Sequence, residues 1–187
     1  QLRKICNERG IILVDDEVKV GFGRTGKMFA FEHYDIVPDV VCLAKAIAGG
    51  LPMGATIASN ELYDKMSVGE HNTTFGGNPL VCAAANAVID IIFEEKLVEN
   101  SAKQGQKILA DLTEFADECR LIREVRGKGL MVGIEYRKRV KDMINEAETK
   151  GVMLLNAGLT IIRMLPPLVL NDAQVETILG VIHEISE

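Results

Sequence analysis

The strongest structural signal in the sequence is Ile11-Ile-Leu-Val-Asp-Asp-Glu17, in which four apolar residues are followed by three acids. The apolar part is β-branched except for Leu13, which predicts a buried and parallel β-strand over 11–14. A second run, Val40-Val-Cys-Leu-Ala44, leads directly into Lys45, and residues 55–58 predict a third short strand. Because helical spacing precedes the first strand and ends at Gly10, the first part of the chain is predicted to be α/β.

The second part of the chain has a different pattern. A helical pattern begins at Asn78-Pro79, breaks near 94–97 and continues to about residue 117. The elements predicted after it are two strands around a glycine bend at 122–136, a helix at 138–150, short strands at 152–155 and 160–164, and a helix at 172–185 capped by Asp172. This α+β order predicts a boundary near residue 95, with one domain at 1–95 and a second at 96–187.

Composition excludes several classes of protein. The 187 residues are 48% hydrophobic and 26% charged, which is typical of a globular chain with a core. The net charge of −6 and the lack of a basic run argue against nucleic-acid binding. No apolar stretch approaches the roughly 20 residues of a membrane span. The four cysteines have long spacings without a C-x-x-C pair, so no metal site is predicted and a reducing cytoplasm is the simplest setting.

Lys45 and the acids after the first strand are the first candidates for chemistry. Ligands of open α/β sheets bind outside the carboxyl ends of the strands, so an acid and Lys45 could face one ligand there. Partial desolvation after an apolar strand would lower the pKa of the lysine and favour its nucleophilic form. A solvated charge at a strand end explains the same residues, and these features alone do not separate the two interpretations.

Two loops and one arginine are weaker candidates. Gly21-Phe-Gly-Arg-Thr-Gly26 matches a dinucleotide fingerprint, but no acid ends a second strand about 20 residues later, so a glycine-rich loop forming an active-site wall is favoured. The stretch 71–79 could hold an anion at a helix start or serve as an ordinary N-cap loop. Arg163 lies in an apolar strand, where its partner is either a substrate carboxylate or an internal acid.

Together these residues resemble the class III aminotransferases, which depend on pyridoxal 5'-phosphate. The resemblance is carried by six motifs that span the chain in order. They are Asp16-Glu-Val-x-x-Gly-Phe-Gly-Arg-Thr-Gly26, Pro38-Asp-x-x-x-x-Ala-Lys45, Gly49-Gly-Leu-Pro-Met-Gly54, Thr74-Phe-Gly-Gly-Asn-Pro79, Val125-Arg-Gly-Lys-Gly-Leu-Met131 and Ile162-Arg-Met-Leu-Pro-Pro167. The resemblance implies an aspartate aminotransferase-like fold (fold type I), with the chain supplying the end of the large cofactor domain and the body of the small C-terminal domain.

The resemblance also implies a role for each site residue. Lys45 would carry the cofactor covalently and then move the proton, and Asp16 would pair with the pyridine nitrogen. Val18 would pack on the ring. Thr74 would bind the phosphate, usually across the interface of a homodimer, and Arg163 would bind the α-carboxylate of the amino donor or of 2-oxoglutarate.

Lys19 departs from the family pattern, which usually has Gln at this position near the phenolic oxygen of the cofactor. If its side chain points inward, its charge would favour the phenolate. If it points away, it is neutral to function.

The stretch Gly69-Glu-His-Asn-Thr-Thr-Phe75 is similar to the acetylornithine aminotransferase branch and its lysine-biosynthesis relatives, which act on a carrier-protein-bound substrate. It implies transfer of a terminal amine from an acylated ornithine or lysine to 2-oxoglutarate, giving a semialdehyde and glutamate. Ornithine and 4-aminobutyrate aminotransferases share most of the motifs and stay as alternatives. The family is normally cytoplasmic. Its phosphate loop, stacking aromatic residue and second arginine lie upstream, so we expect the 187 residues alone to be inactive.

Overall fold

The computed structural model describes residues 1–187, and the chain divides into two units. The first unit contains residues 1–23 and 27–96, and the second contains residues 24–26 and 97–187. Each unit has its own β-sheet. Their assignment to the large and small domains of a longer enzyme stays a prediction.

The first unit is built around a three-stranded sheet in the order β1-β2-β3. Its strands are β1 (Val14–Asp16), β2 (Val40–Leu43) and β3 (Ala55–Ala58). Strands β1 and β2 run parallel, as the apolar runs predict, and β3 is antiparallel to β2. The predicted bounds of the first strand are wrong, because pairing begins only at Val14 and both Ile11 and Ile12 are about half exposed. An apolar strand of this kind is buried only when both faces of its sheet are covered, and the first unit does not cover both faces of β1.

Helical segments precede, connect and follow these strands. They are α1 (Leu2–Arg9), the 3₁₀ turns at Ala30–Tyr34 and Lys45–Ala48, α2 (Asn60–Tyr63) and α3 (Pro79–Glu94). Helix α1 ends as predicted at Gly10, whose φ of 63° is the left-handed conformation that glycine adopts without strain. Helix α3 begins where the Asn78 side chain accepts a 3.2 Å hydrogen bond from the Val81 N–H. Pro79 follows at the first position, where it needs no donor.

The second unit packs three helices against one antiparallel sheet in the order β4-β5-β7-β6. Its elements are α4 (Leu97–Glu118), β4 (Ile122–Lys128), β5 (Met131–Tyr136), α5 (Lys141–Thr149), β6 (Leu155–Ala157), β7 (Ile161–Met164) and α6 (Asp172–Ser186). One face of the sheet is buried through Val132, Ile134 and Ile162, together with Ile108 of α4 and Val175 of α6. The hairpin around Gly129 and the three helices are confirmed.

Three predicted boundaries in this unit are wrong. The helix expected at 138–150 begins only at Lys141, after Val140, whose N–H donates a 3.1 Å hydrogen bond to the Leu159 carbonyl oxygen. The strand expected at 152–155 is found at Leu155–Ala157, because pairing with β7 begins only at Leu155, and the Val152 N–H instead donates a 3.0 Å hydrogen bond to the Ala147 carbonyl oxygen. The last helix is capped by Asn171 and not by Asp172. The Asn171 side chain accepts a 3.0 Å hydrogen bond from the Gln174 N–H, and the Gln174 side chain accepts one from the Asn171 N–H. This reciprocal pair is a capping box.

No helix of the chain combines the length and the apolar character that crossing a bilayer requires.

Residues 24–26 lie within the second unit. The carbonyl oxygen of Arg24 accepts hydrogen bonds from the Leu130 N–H (2.9 Å) and from Ser101 Oγ (3.0 Å). A methyl group on Gly129 would overlap the backbone of 24–26, and one on Gly105 would overlap the backbone of Gly129. The second half of the glycine-rich motif therefore forms a close-packed backbone contact with α4 and the β4-β5 turn, which the sequence interpretation as an active-site wall did not include.

Candidate functional site

Asp16 and Lys45 lie at the carboxyl ends of neighbouring parallel strands. Asp16 ends β1 and is in register with Cys42 of β2, and Lys45 follows Cys42 by three residues. The ladder continues one step further, since the Glu17 N–H donates a 3.0 Å hydrogen bond to the Cys42 carbonyl oxygen. Both side chains are exposed in the unit. The topology thus places an amine and a carboxylate at the same edge of the sheet, which is where ligands bind in such sheets.

The backbone at Lys45 is unusual. Its φ is 51°, in the left-handed region that a residue with a Cβ occupies at a cost of about 1 kcal/mol or more. The preceding Ala44 is extended, with φ −164° and ψ −156°, and the 3₁₀ turn that starts at Lys45 ends at the left-handed Gly49. Backbone strain of this kind collects at functional sites. The lysine is exposed, so the desolvation expected after an apolar strand is not present within this unit.

The loop before α3 approaches the face of the sheet on which Asp16 lies. Residues in register point to the same face, so Asp16 shares its face with Cys42 and with Thr56 of β3. A cavity of about 740 Å³ over this face is lined by Cys42 and Thr56 together with His71 and Thr73. Thr74 is the next residue of the same loop and its side chain is exposed.

Val18 and Lys19 occupy the turn after β1. The Val18 N–H donates a 3.0 Å hydrogen bond to Asp16 Oδ1, which fixes one carboxylate oxygen and leaves Oδ2 available. Val18 is half-buried and Lys19 is exposed. The role of each of these two residues stays a prediction.

Glu17 is a buried acid that the sequence interpretation did not single out. Its side chain is 1% exposed, Oε1 accepts a 3.1 Å hydrogen bond from the Phe31 N–H, and Oε2 has no partner. Burial raises the pKa of Glu17 to about 6, and the negative charge of Asp15 adds to that shift. Strand alternation turns Glu17 away from the face of Asp16, but it does not predict the burial, since Asp15 alternates in the same way and is only half-buried.

Arg163 lies on β7 of the second unit. It is half-buried, and its Nε is buried without a hydrogen-bond partner. It borders a cavity of about 510 Å³ lined by Met153, Leu155 and Gln174, and a second of about 380 Å³ lined by Arg126 and Lys128. A half-buried guanidinium with an unsatisfied N–H is suited to binding a carboxylate.

The first unit therefore contains a primary amine, a carboxylate and a half-buried valine at one sheet edge, and an exposed hydroxyl, that of Thr74, in the loop before α3. This donor set fits pyridoxal 5'-phosphate, which needs an amine for its aldehyde, an acid for its ring nitrogen and a hydroxyl for its phosphate. Lys45, Asp16 and Thr74 are the residues with these groups.

Comparison with known proteins identifies the family. A family model described as aminotransferase class-III matches residues 1–185. Among curated relatives, the acetylornithine aminotransferase of Methanopyrus kandleri is 44% identical over 182 residues, covering 96% of this chain and 46% of the relative. Ornithine aminotransferase 1 of Staphylococcus saprophyticus is 40% identical over 188 residues, covering 100% of this chain and 47% of the relative. The chain thus spans about half the length of the curated relatives it matches.

Comparison with solved structures leads to the same family. The ornithine aminotransferase of Toxoplasma gondii, in which PLP partially occupies the active site, superposes with a TM-score of 0.93 at 27% identity. That match covers 98% of this chain and 44% of the other. The predicted fold class is confirmed: the chain has the α/β fold type I architecture of these transferases. The six motifs, the two units and the comparisons lead to one conclusion, that the chain belongs to the class-III aminotransferase family and corresponds to its C-terminal half.

Proposed function

We propose that this chain is the C-terminal half of an enzyme that uses pyridoxal 5'-phosphate to move a terminal amine from an acylated donor to 2-oxoglutarate. The favoured donor is N-acetylornithine or a related acylated ornithine or lysine, and the products are the semialdehyde and glutamate. The observation that carries this proposal is the placement of Lys45, with its left-handed backbone, at the sheet edge beside Asp16.

The cofactor, when bound, supplies a ring that accepts the electrons left behind when a proton leaves the substrate carbon. Lys45 Nζ would hold the cofactor covalently until the substrate amine displaces it, and the freed amine would then take up that proton and return it. The Asp16 carboxylate keeps a proton on the ring nitrogen, with Oδ1 already oriented by the Val18 N–H. The Thr74 hydroxyl would donate to the phosphate of the cofactor bound in the other subunit, and the Val18 side chain would exclude water from one face of the ring.

Arg163 binds the α-carboxylate of 2-oxoglutarate or of the glutamate product. Its unsatisfied Nε–H supports this role, because a carboxylate would provide the acceptor that the chain does not. A planar guanidinium holds a carboxylate through two parallel hydrogen bonds, which also fixes its orientation.

The choice of donor is supported by the relatives. Acetylornithine aminotransferases occur among them in archaea and bacteria, at 38–44% identity. Ornithine is the second candidate, because ornithine aminotransferases match this chain at 40% identity and in the fold comparison. A 4-aminobutyrate donor is supported only by the shared motifs.

The same proposal includes the upstream part of the enzyme, its oligomeric state and its cellular compartment. Because the relatives are about twice as long, we infer that the remaining cofactor contacts come from residues upstream of this chain. We also infer a homodimer in which Thr74 serves the active site of the other subunit, and a reducing cytoplasmic setting, supported by four free cysteines.

The proposal is tested by assaying the full-length protein with N-acetylornithine, ornithine and 4-aminobutyrate, each with 2-oxoglutarate, and measuring glutamate. The highest kcat/KM is expected for N-acetylornithine, and Lys45→Ala should abolish turnover. Asp16→Asn should lower kcat by about a hundredfold, the size of an electrostatic contribution within an active site.

Asp15→Asn is the matched control, because Asp15 is adjacent in sequence but on the other face of β1. Its kcat should stay within about threefold of the wild type, since it does not touch the ring. Equal losses in the two variants would contradict the role given to Asp16. A preference for ornithine would replace the favoured donor with the second candidate.

A further inference from the structure

One face of the sheet in the second unit carries a row of three residues in register. Arg126 of β4 pairs with Gly133 of β5, and Gly133 pairs with Arg163 of β7. Residues in register point to the same face, so the two arginines stand on one face with only a glycine between them. A Cβ on Gly133 would meet the Ile161 side chain at 3.7 Å and the Arg126 carbonyl oxygen at 3.8 Å, which are ordinary van der Waals distances, and Gly133 itself places no side chain between the two arginines.

The acids on this face are all bound to other arginines. Glu135 receives a hydrogen bond on Oε1 from Arg123 (3.1 Å) and on Oε2 from Arg126 (2.9 Å). Arg126 also binds Glu124 at 2.7 Å. Two arginines and two glutamates form this cluster, so its formal charges cancel. The hydrogen bond from Arg126, supported by Arg123, holds the pKa of Glu135 below its usual value, so the carboxylate is ionised at neutral pH.

Arg163 has no such partner, although an acid lies close by. It makes no ion pair within the chain, and its Nε is buried and unsatisfied. Glu135 pairs with Ile161 while Gly133 pairs with Arg163, so Glu135 is the diagonal neighbour of Arg163 on the adjacent strand. Diagonal neighbours have Cα atoms about 7–8 Å apart, within reach of an arginine and a glutamate. Glu135 could therefore neutralise Arg163 if it were not held by two other arginines.

We propose that Arg126 and Arg123 are positioning residues that retain Glu135 and so keep Arg163 available for a substrate carboxylate. The inference rests on the proposed function of Arg163. Released from Arg126, Glu135 would bind Arg163 as an internal anion and compete with the dicarboxylate substrate. The cluster would thus affect substrate affinity without touching substrate, cofactor or the reacting atoms.

The test uses the full-length holoenzyme and glutarate, which carries both carboxylates of 2-oxoglutarate but no keto group. Isothermal titration gives its Kd. Arg126→Gln should raise the Kd about tenfold, the effect of a competing charged hydrogen bond, and Arg123→Gln/Arg126→Gln should raise it further. Adding Glu135→Gln to either should restore the wild-type Kd, because the competing anion is then gone. In turnover, Arg126→Gln should raise KM for 2-oxoglutarate and leave kcat within about twofold.

Glu124→Gln is the matched control, since it removes the other partner of Arg126 without releasing Glu135. Its Kd should stay within about twofold of the wild type. If Arg126→Gln does not fold, Arg126→Lys keeps the charge with a weaker contact and should give an intermediate Kd.

The outcomes separate the two proposals. If Arg163→Gln binds glutarate as well as the wild type does, the function assigned to Arg163 is wrong and this inference falls with it. If Arg163→Gln loses binding but Arg126→Gln does not, or if Glu135→Gln fails to restore it, the role of Arg126 is purely structural and only this inference is overturned.

Discussion

The N–H of Phe31 donates a 3.1 Å hydrogen bond to Oε1 of Glu17, a carboxyl group whose Oε2 is buried without any partner. Burial raises the pKa of Glu17 from 4.5 to about 6. The folded state therefore binds this proton more tightly than the unfolded state. By linkage, the contribution of Glu17 to stability is most favourable below about pH 4.5 and becomes less favourable as the pH rises through 6.

Glu17→Gln removes this titration while keeping an oxygen for Phe31. Relative to the wild type, its free energy of unfolding should rise by about 2 kcal/mol between about pH 3 and about pH 7, from a shift of about 1.5 pKa units. Urea unfolding across this pH range measures the difference. Parallel stability curves for the two proteins would show that Glu17 has an ordinary pKa. Asp15→Asn should reduce the effect without removing it, because Asp15 contributes less to the shift than burial does.

Gly105→Ala is expected to destabilise the protein although it lies within helix α4. Alanine normally stabilises a helix interior relative to glycine. Here the added methyl group would overlap the backbone of Gly129, which cannot move aside as a side chain can. We expect a loss of about 2 kcal/mol in chemical denaturation. Gly180→Ala in α6 is the control, since no atom lies within 4 Å of its added Cβ, and it should stabilise by about 0.5–1 kcal/mol.

Ser101→Ala should weaken the attachment of residues 24–26. Ser101 is fully buried, donates to the Arg24 carbonyl oxygen at 3.0 Å and accepts from the Leu130 N–H at 3.4 Å. The expected loss is about 1–2 kcal/mol, as for buried hydrogen bonds generally. Thr113→Ala in the same helix removes only an exposed bond to the Leu109 carbonyl oxygen and should change stability by less than about 0.5 kcal/mol. Equal effects at the two sites would contradict the role of Ser101.

Lys19→Gln tests whether this departure from the family pattern affects the cofactor. If Lys19 points inward, its charge favours the phenolate, so the variant of the full-length protein should show a higher midpoint when the cofactor absorbance is titrated with pH. Lys27→Gln, a change of the same charge outside the proposed site, should leave the midpoint unchanged. An unchanged midpoint in Lys19→Gln would exclude the inward orientation.

The isolated 187-residue chain should bind pyridoxal 5'-phosphate weakly and should not turn over substrate. The chain covers about half of its relatives, and Val14 of β1 is 56% exposed, so apolar surface that a larger domain would cover is open. Absorbance titration and an activity assay of the isolated chain provide the measurement. A stable cofactor absorbance band together with transamination would show that this expectation is wrong.

Local chemistry explains which parts of the fold were predictable. Gly10 and the Asn78-Pro79 pair mark helix ends correctly, because their conformational preferences act over a few residues. The break at 94–97 is equally local, with Lys96 at φ 52° between α3 and α4. The bounds of β1 were not predictable, since they depend on which strands and helices pack against it.

The residues of the candidate site also divide into those that the sequence predicts and those that it does not. Strand ends and motif order identify the candidates. Lys45 and Arg163 stand out by type within apolar stretches, whereas Asp16 and Thr74 have neighbours of the same type, Asp15 and Thr73, and stand out only by their place in the family motifs. The sequence does not identify Glu17 and Ser101, since their burial depends on residues distant in sequence: Phe31 in one case and Arg24 and Leu130 in the other. The capping of α6 by Asn171 in place of Asp172 shows that two equally suitable neighbours cannot be separated by type alone.

The meeting of Gly26, Gly105 and Gly129 couples three stretches of chain that are far apart in sequence. The atoms that a methyl group would strike are mostly backbone, including those of Gly129 at position 105 and those of Thr25 at position 129. No shrinking of a neighbouring side chain can relieve such a collision, so compensating substitutions are excluded. A homologous enzyme that carries a larger residue at Gly105 or Gly129 must therefore route its main chain differently at this junction.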